Sequence, residues 1–207
     1  MREYLSKTLG YWASGGPLLA PLALVCFAIW MYFLRARRLM LSAIREADGL
    51  DRRLRDGIAP TRPAGIGQAP WLGSALANAF TAVVLDKREP GFVFEREGER
   101  VMSRLQRDIV VLAAFTAMAP LLGLLGTVIG MIETFDAVAS TVGETGIRVA
   151  SGVSKALITT QFGLVIAIPG MFGVSRLGRL AEHVRVRWAT LRAEALLLLD
   201  RREEAAR

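Results

Sequence analysis

The chain reads as an all-α integral membrane protein with three transmembrane helices, the second and third extended into the cytoplasm as long helices. Of its 207 residues 53% are hydrophobic, yet 22% are charged, so charge and apolar surface must be segregated along the sequence. Three stretches lack Asp, Glu, Lys and Arg altogether: Thr8 to Leu34 (27 residues), Ile109 to Ile132 (24) and Ala156 to Ser175 (20). At about 1.5 Å per residue, each can cross a hydrocarbon core of about 30 Å as a helix.

The first span, 15–34, follows an external tail, 1–14, that ends in Ser14 just after Tyr11 and Trp12. Trp30 and Tyr32 lie near its other end, and aromatics at both ends suit the two membrane interfaces. Its apolar part is too long for a cleaved signal, and it is followed by "RARR" at 35–38 instead of a small-residue cleavage site. It stays as an anchor. Lys and Arg number 2 before this span, 14 between the first and second, 2 between the second and third, and 8 after the third. The positive-inside rule therefore places the N-terminus outside, the loop 35–108 inside, the loop 133–155 outside and the tail 176–207 inside.

Within 35–108, helix is expected to about Asp56. The segment 56–71, "DGIAPTRPAGIGQAPW", then breaks it with three prolines and three glycines. A second helix is expected over 72–87 and a turn at Pro90 and Gly91. A third carries Val101, Leu105, Ile109 and Leu112 on one side and runs into the span 109–132. From Ala156, steps of four and three reach Thr160, Gly163, Ala167, Gly170, Val174, Leu177, Ala181, Val184, Trp188, Leu191, Ala195 and Leu198. All are apolar or small, which is a coiled-coil-like seam running past the span 156–175 into 176–207.

Composition excludes some functions. The net charge of +7 comes from basic residues interleaved with acids on the two inner segments; topology and anionic membrane lipids explain them more simply than nucleic acid does. The one cysteine, Cys26, has no intrachain partner. His183 sits in the charged tail and reads as a solvated side chain, and "GLLG" lies inside a span without the Lys-Ser/Thr of a phosphate loop. No metal site, cofactor or enzymatic chemistry is expected.

The second span is odd for a membrane helix, because "PLLGLLGTVIGMIETF" at 120–135 carries proline, glycines and threonines. The same stepping puts Thr116, Pro120, Gly123, Thr127, Gly130 and Thr134 on one face. In the third span Thr160, Gly163, Ala167 and Gly170 make a matching stripe, with Thr159 and Gln161 beside it. Two readings stay open on spacing alone. The stripes let helices approach closely while each threonine bonds its own i−4 carbonyl, or they face a shared lumen with a polar path.

"MAPLLGLLGTVIGMIETF" at 118–135 and "VSKALITTQFGLVIAIPG" at 153–170 resemble the two signature helices of the MotA/TolQ/ExbB proton-channel family, and the three-span plan is most similar to ExbB. The resemblance implies a pentamer in the bacterial inner membrane surrounding the single spans of an ExbD-like partner. The proton-motive force would drive this assembly, delivering work to a TonB-like protein. It also implies that Thr127 and Thr160 are pore-lining hydroxyls facing the partner's membrane aspartate, with Thr159, Thr116, Gly123, Gly130, Gly163 and Ala167 completing the lining. A TolQ-like or motility motor, or a non-conducting scaffold, is the alternative. Independently, no span contains Asp, Glu or His, so an acid that binds and releases protons in mid-membrane must come from another subunit. One position departs from the family pattern: Lys155 stands where those proteins carry glutamate. It can snorkel to the interface or pair with an acid of the partner or with Glu133 or Asp136 at the outer mouth.

Overall fold

The computed structural model describes residues 18–58, 71–86, 89–140 and 145–205. They form four helices: α1 (Leu19–Arg55), α2 (Trp71–Asp86), α3 (Pro90–Ser140) and α4 (Thr145–Ala205). No strand occurs among the described residues. Three of the helices, α1, α3 and α4, are long and apolar enough to cross a membrane. The expected tail 1–14 and residues 59–70 of the Pro/Gly segment 56–71 lie outside the described residues. The segment 133–155, expected between the second and third spans, is helical to Ser140 and again from Thr145.

The helix starts and stops follow local chemistry. At the end of α1, Gly57 adopts a φ of 77°, a conformation that costs glycine little. The Gly57 N–H donates to the Leu54 carbonyl at 3.0 Å and the Ile58 N–H to the Arg53 carbonyl at 2.9 Å. This pair of bonds satisfies carbonyls the helix would otherwise leave open. Pro120 and Pro169 lie inside α3 and α4 without ending them, as apolar helices with packed neighbours allow.

The chain divides into two compact units. One comprises residues up to Phe33 together with Val111–Val174, the other Leu34–Val110 together with Ser175–Arg207. In the first, large apolar side chains such as Phe27, Leu121, Leu157 and Phe172 point outward, while α3 and α4 meet through small residues. That inversion suits lipid surroundings, where apolar side chains gain nothing by hiding and close backbone approach holds helices together.

The second unit buries its large apolar side chains in a core. Met40 of α1, Leu72 and Leu76 of α2, Phe94 and Leu105 of α3, and Leu177, Val184 and Leu191 of α4 are fully buried. Each contributes roughly 1.5–3 kcal/mol on leaving water. Phe80 meets Phe94 edge to face with ring centroids 5.5 Å apart. Trp188 lies over Gly98 so closely that any Cβ there would collide with the indole. Around this core run exposed ion pairs, Arg187 with Asp48 at 3.0 Å, Arg192 with Glu95 at 3.7 Å and Arg55 with Glu194 at 3.7 Å. Such pairs are worth about 0–1 kcal/mol each, so burial decides the stability of this unit.

The amino end of α2 is held by α1. The Gly73 N–H donates to Glu46 Oε1 at 2.7 Å, which supplies from a neighbouring helix the acceptor that the first turn of α2 lacks. Burial pushes the Glu46 carboxyl above its ordinary range, against the lowering effect of the Gly73 and Leu72 N–H groups.

Candidate functional site

In the apolar unit α3 and α4 meet along a seam of small residues. From one end it pairs Thr116 with Gly170, Ala119 and Gly123 with Gly163, Gly126 with Thr159, Gly130 with Ala156 and Gly152, and Thr134 with Gly152. A Cβ on Gly163 would lie 2.7 Å from the Ala119 carbonyl oxygen, and one on Gly130 would lie 2.8 Å from that of Gly152. Neither leaves room for a methyl group. Thr116, Thr134, Thr159, Ala167 and the seam glycines are buried here, inside one chain.

The buried stripe differs from the one that stepping suggests. In α3 it takes Ala119 and Gly126 in place of Pro120 and Thr127, and in α4 it takes Thr159 in place of Thr160. Thr127 and Thr160 stand at its edge, half-buried. Ala119 and Gly152, which the stepping did not single out, belong to the seam. Small residues spaced by three or four, as in Ala119, Gly123, Gly126 and Gly130, are the signal that marks it.

Every threonine along the seam donates its hydroxyl proton to a backbone carbonyl. Thr116 bonds Leu112 at 2.8 Å, Thr134 bonds Gly130 at 2.8 Å and Thr159 bonds Ala156 at 2.9 Å. Thr127 bonds Leu124 at 2.7 Å. Thr160 reaches both its own turn, at Ala156, and the other helix, at Gly123, each at 3.2 Å. No buried side-chain nitrogen or oxygen among the described residues is left without a partner.

The position of α1 distinguishes the two flanks of this seam. Tyr32 of α1 packs on Phe115 of α3 with ring centroids 5.7 Å apart. Phe33 packs on α4, where a Cβ on Gly173 would be 3.1 Å from its ring. Glu133 follows Phe115 by 18 residues and Lys155 precedes Gly173 by 18, which is five full turns in each case. Glu133 and Lys155 therefore lie on the α1 flank, where they form an ion pair at 2.9 Å. By the same count, at about 100° per residue, Thr127 and Thr160 lie about 120° and 140° around their helices from those α1 contacts, beyond the seam. The two threonines share the side turned away from α1. Asp136, one turn beyond Glu133, is exposed.

Residues 69–190 match the MotA/TolQ/ExbB proton channel family. The chain belongs to that family. Biopolymer transport protein ExbB of Pseudomonas putida is 32% identical over 174 residues, covering 75% of this chain and 53% of that protein. Biopolymer transport protein ExbB of Salmonella typhimurium is 33% identical over 115 residues, 56% of this chain and 47% of its own. Tol-Pal system protein TolQ of Haemophilus influenzae is 28% identical over 177 residues, 74% of this chain and 75% of its own. The chain thus spans about half the length of these two ExbB relatives. As a member of the MotA/TolQ/ExbB proton channel family with three helices long and apolar enough to cross a membrane, it is a membrane protein.

Among the described residues no group of three or more His, Cys, Asp or Glu side chains could hold a metal ion. The chemistry this seam offers is hydroxyl and carbonyl oxygen along a close-packed helix pair.

Proposed function

We propose that the chain is the pore-surrounding subunit of an ExbB–ExbD-type inner-membrane motor, which uses the proton-motive force to energise TonB-dependent transport across the outer membrane. The observation that carries this reading is the shared side of Thr127 and Thr160. These two half-exposed hydroxyls flank a rigid helix pair on the side away from α1, as a helix pair lining a ring's lumen requires. In this reading Gly123, Gly130, Gly163, Ala167, Thr116 and Thr159 serve the pore by holding α3 and α4 together behind those hydroxyls.

The N-terminus is periplasmic and the second unit cytoplasmic, following the Lys and Arg distribution. Five copies enclose the single spans of an ExbD-like partner. That partner supplies the titrating carboxylate, because the spans of this chain contain none. A proton crossing the membrane releases about 2.3 kcal/mol per 100 mV, enough to shift a bistable interface if coupling is tight. The protein acts as a channel and motor part and not as an enzyme.

A TolQ-like envelope-maintenance motor is the second reading, favoured by the TolQ relative that the chain matches over 75% of that protein's length. Native mass spectrometry of gently extracted protein, with and without a co-expressed ExbD-like partner, tests both. Five copies plus partner mass are expected. A monomer or dimer under all conditions would leave the seam as ordinary helix packing and sink the motor reading.

A further inference from the structure

The Glu133–Lys155 pair does more than neutralise two charges near the membrane surface. The seam beside it is made of Gly, Ala and Thr, which permits close approach, and its knobs are no larger than the threonines that sit against Gly170, Gly126 and Gly152. At its outer end each charged residue is the immediate neighbour of a seam residue: Glu133 precedes Thr134, packed on Gly152, and Lys155 precedes Ala156, packed on Gly130. Lys155 Nζ and Glu133 Oε2 are 2.9 Å apart, joining positions 22 residues apart in the chain. The Lys155 carbonyl also accepts from the Thr159 hydroxyl at 3.2 Å, so the lysine and the threonines share consecutive turns of α4.

We infer that the Glu133–Lys155 pair is a register pin: it fixes the outer ends of α3 and α4 against axial slip, and so keeps Thr127 and Thr160 level on the opposite flank, while lying off the ion route itself. One turn of slip displaces a helix by about 5.4 Å, enough to separate hydroxyls that must act on one passing group. The pair lies on the α1 flank, five turns from the Phe115–Tyr32 and Gly173–Phe33 contacts, whereas the threonines lie beyond the seam. This inference rests on the proposed function only for what the levelled threonines do. Lys155 and Glu133 are positioning residues.

The test is a charge swap in the full chain, read two ways. K155E and E133K each place like charges face to face. Each is expected to lower the thermal midpoint of the purified protein by several degrees and proton flux, measured in vesicles with a co-expressed ExbD-like partner, at least fivefold. The K155E/E133K double variant is expected to regain flux to within twofold and the midpoint to within a degree or two, and K155R to match the parent in both. The pH midpoint of the remaining flux should stay where the parent has it. A swap as impaired as K155E, or a K155E that leaves both readouts unchanged, overturns the pin. A displaced pH midpoint also overturns it, because it places Lys155 on the ion route. If the parent passes no protons with any partner, the proposed function falls, and the pin stands or falls on the thermal midpoints of the single and swapped variants.

Discussion

Gly163 and Ala119 approach so closely that a methyl group on the glycine would sit 2.7 Å from the alanine carbonyl oxygen. Two backbones are in contact there, and neither can yield as a flexible side chain would. Gly163→Ala should therefore push α3 from α4 and cost about 1–3 kcal/mol, the usual penalty for overfilling a packed site. Gly178→Ala, where nothing lies within 4 Å of the added carbon, should be neutral or gain up to about 1 kcal/mol from helix propensity. Thermal unfolding of the two purified variants side by side measures the contrast.

Thr127→Val and Thr160→Val keep shape and remove a hydroxyl. Under the proposed function both should abolish energised transport while the complex still assembles. Thr134→Val removes a hydroxyl buried in the seam, bonded only within its own helix, and should cost about 1 kcal/mol of stability with transport retained. Uptake assays paired with subunit counting separate these outcomes, and intact uptake in the first two variants would support a scaffold instead.

In the bundle unit, Gly98→Ala should displace the Trp188 indole. The expected loss is about 1–3 kcal/mol, accompanied by a red shift of tryptophan emission as the ring becomes wetter. Emission from a variant that keeps Trp188 but replaces the other three tryptophans isolates the signal.

Glu46 gives a pH signature. Its folded pKa is raised above the unfolded value by burial, so between those two values the folded state holds the proton more tightly and stability falls as pH rises. Glu46→Gln keeps an acceptor for the Gly73 N–H and removes the charge. Its stability should be flat across that window and equal to or above the parent's at neutral pH. Denaturant titrations at a series of pH values, from the ordinary carboxylate range to neutrality, test both halves of the expectation.

Much of this architecture was legible because lipid imposes a length and a composition on anything that crosses it. Residues 19–34 of the first charge-free stretch lie in α1 and the other two stretches lie wholly in α3 and α4, and the seam positions Leu177, Val184, Trp188, Leu191, Ala195 and Leu198 are buried as the heptad steps indicate, with Ala181 half-buried among them. Phase was harder to read. Among Gly, Ala, Thr and Pro, several offsets of a three-and-four step look equally small, so the steps passed through Thr127 and Thr160 when the packed stripe runs through Gly126 and Thr159. Only α1, through Tyr32 on Phe115, distinguishes one flank from the other, and that contact is between residues far apart in sequence. The partner of Lys155 was equally hidden: sequence offered Glu133, Asp136 or an acid on another chain, and the packing of α3 on α4 brings Glu133 within 2.9 Å.

The threonine hydroxyls have one more consequence. A hydroxyl carries a single proton, and in Thr127 and Thr160 that proton is already committed to the carbonyls of Leu124, Ala156 and Gly123. What remains outward is lone pairs, so this side of the helix pair is a surface of acceptors. A carboxylic acid can dock there without disturbing those bonds, whereas a carboxylate must first draw a hydroxyl away from its carbonyl. The surface thereby discriminates between the two protonation states of whatever acid it meets.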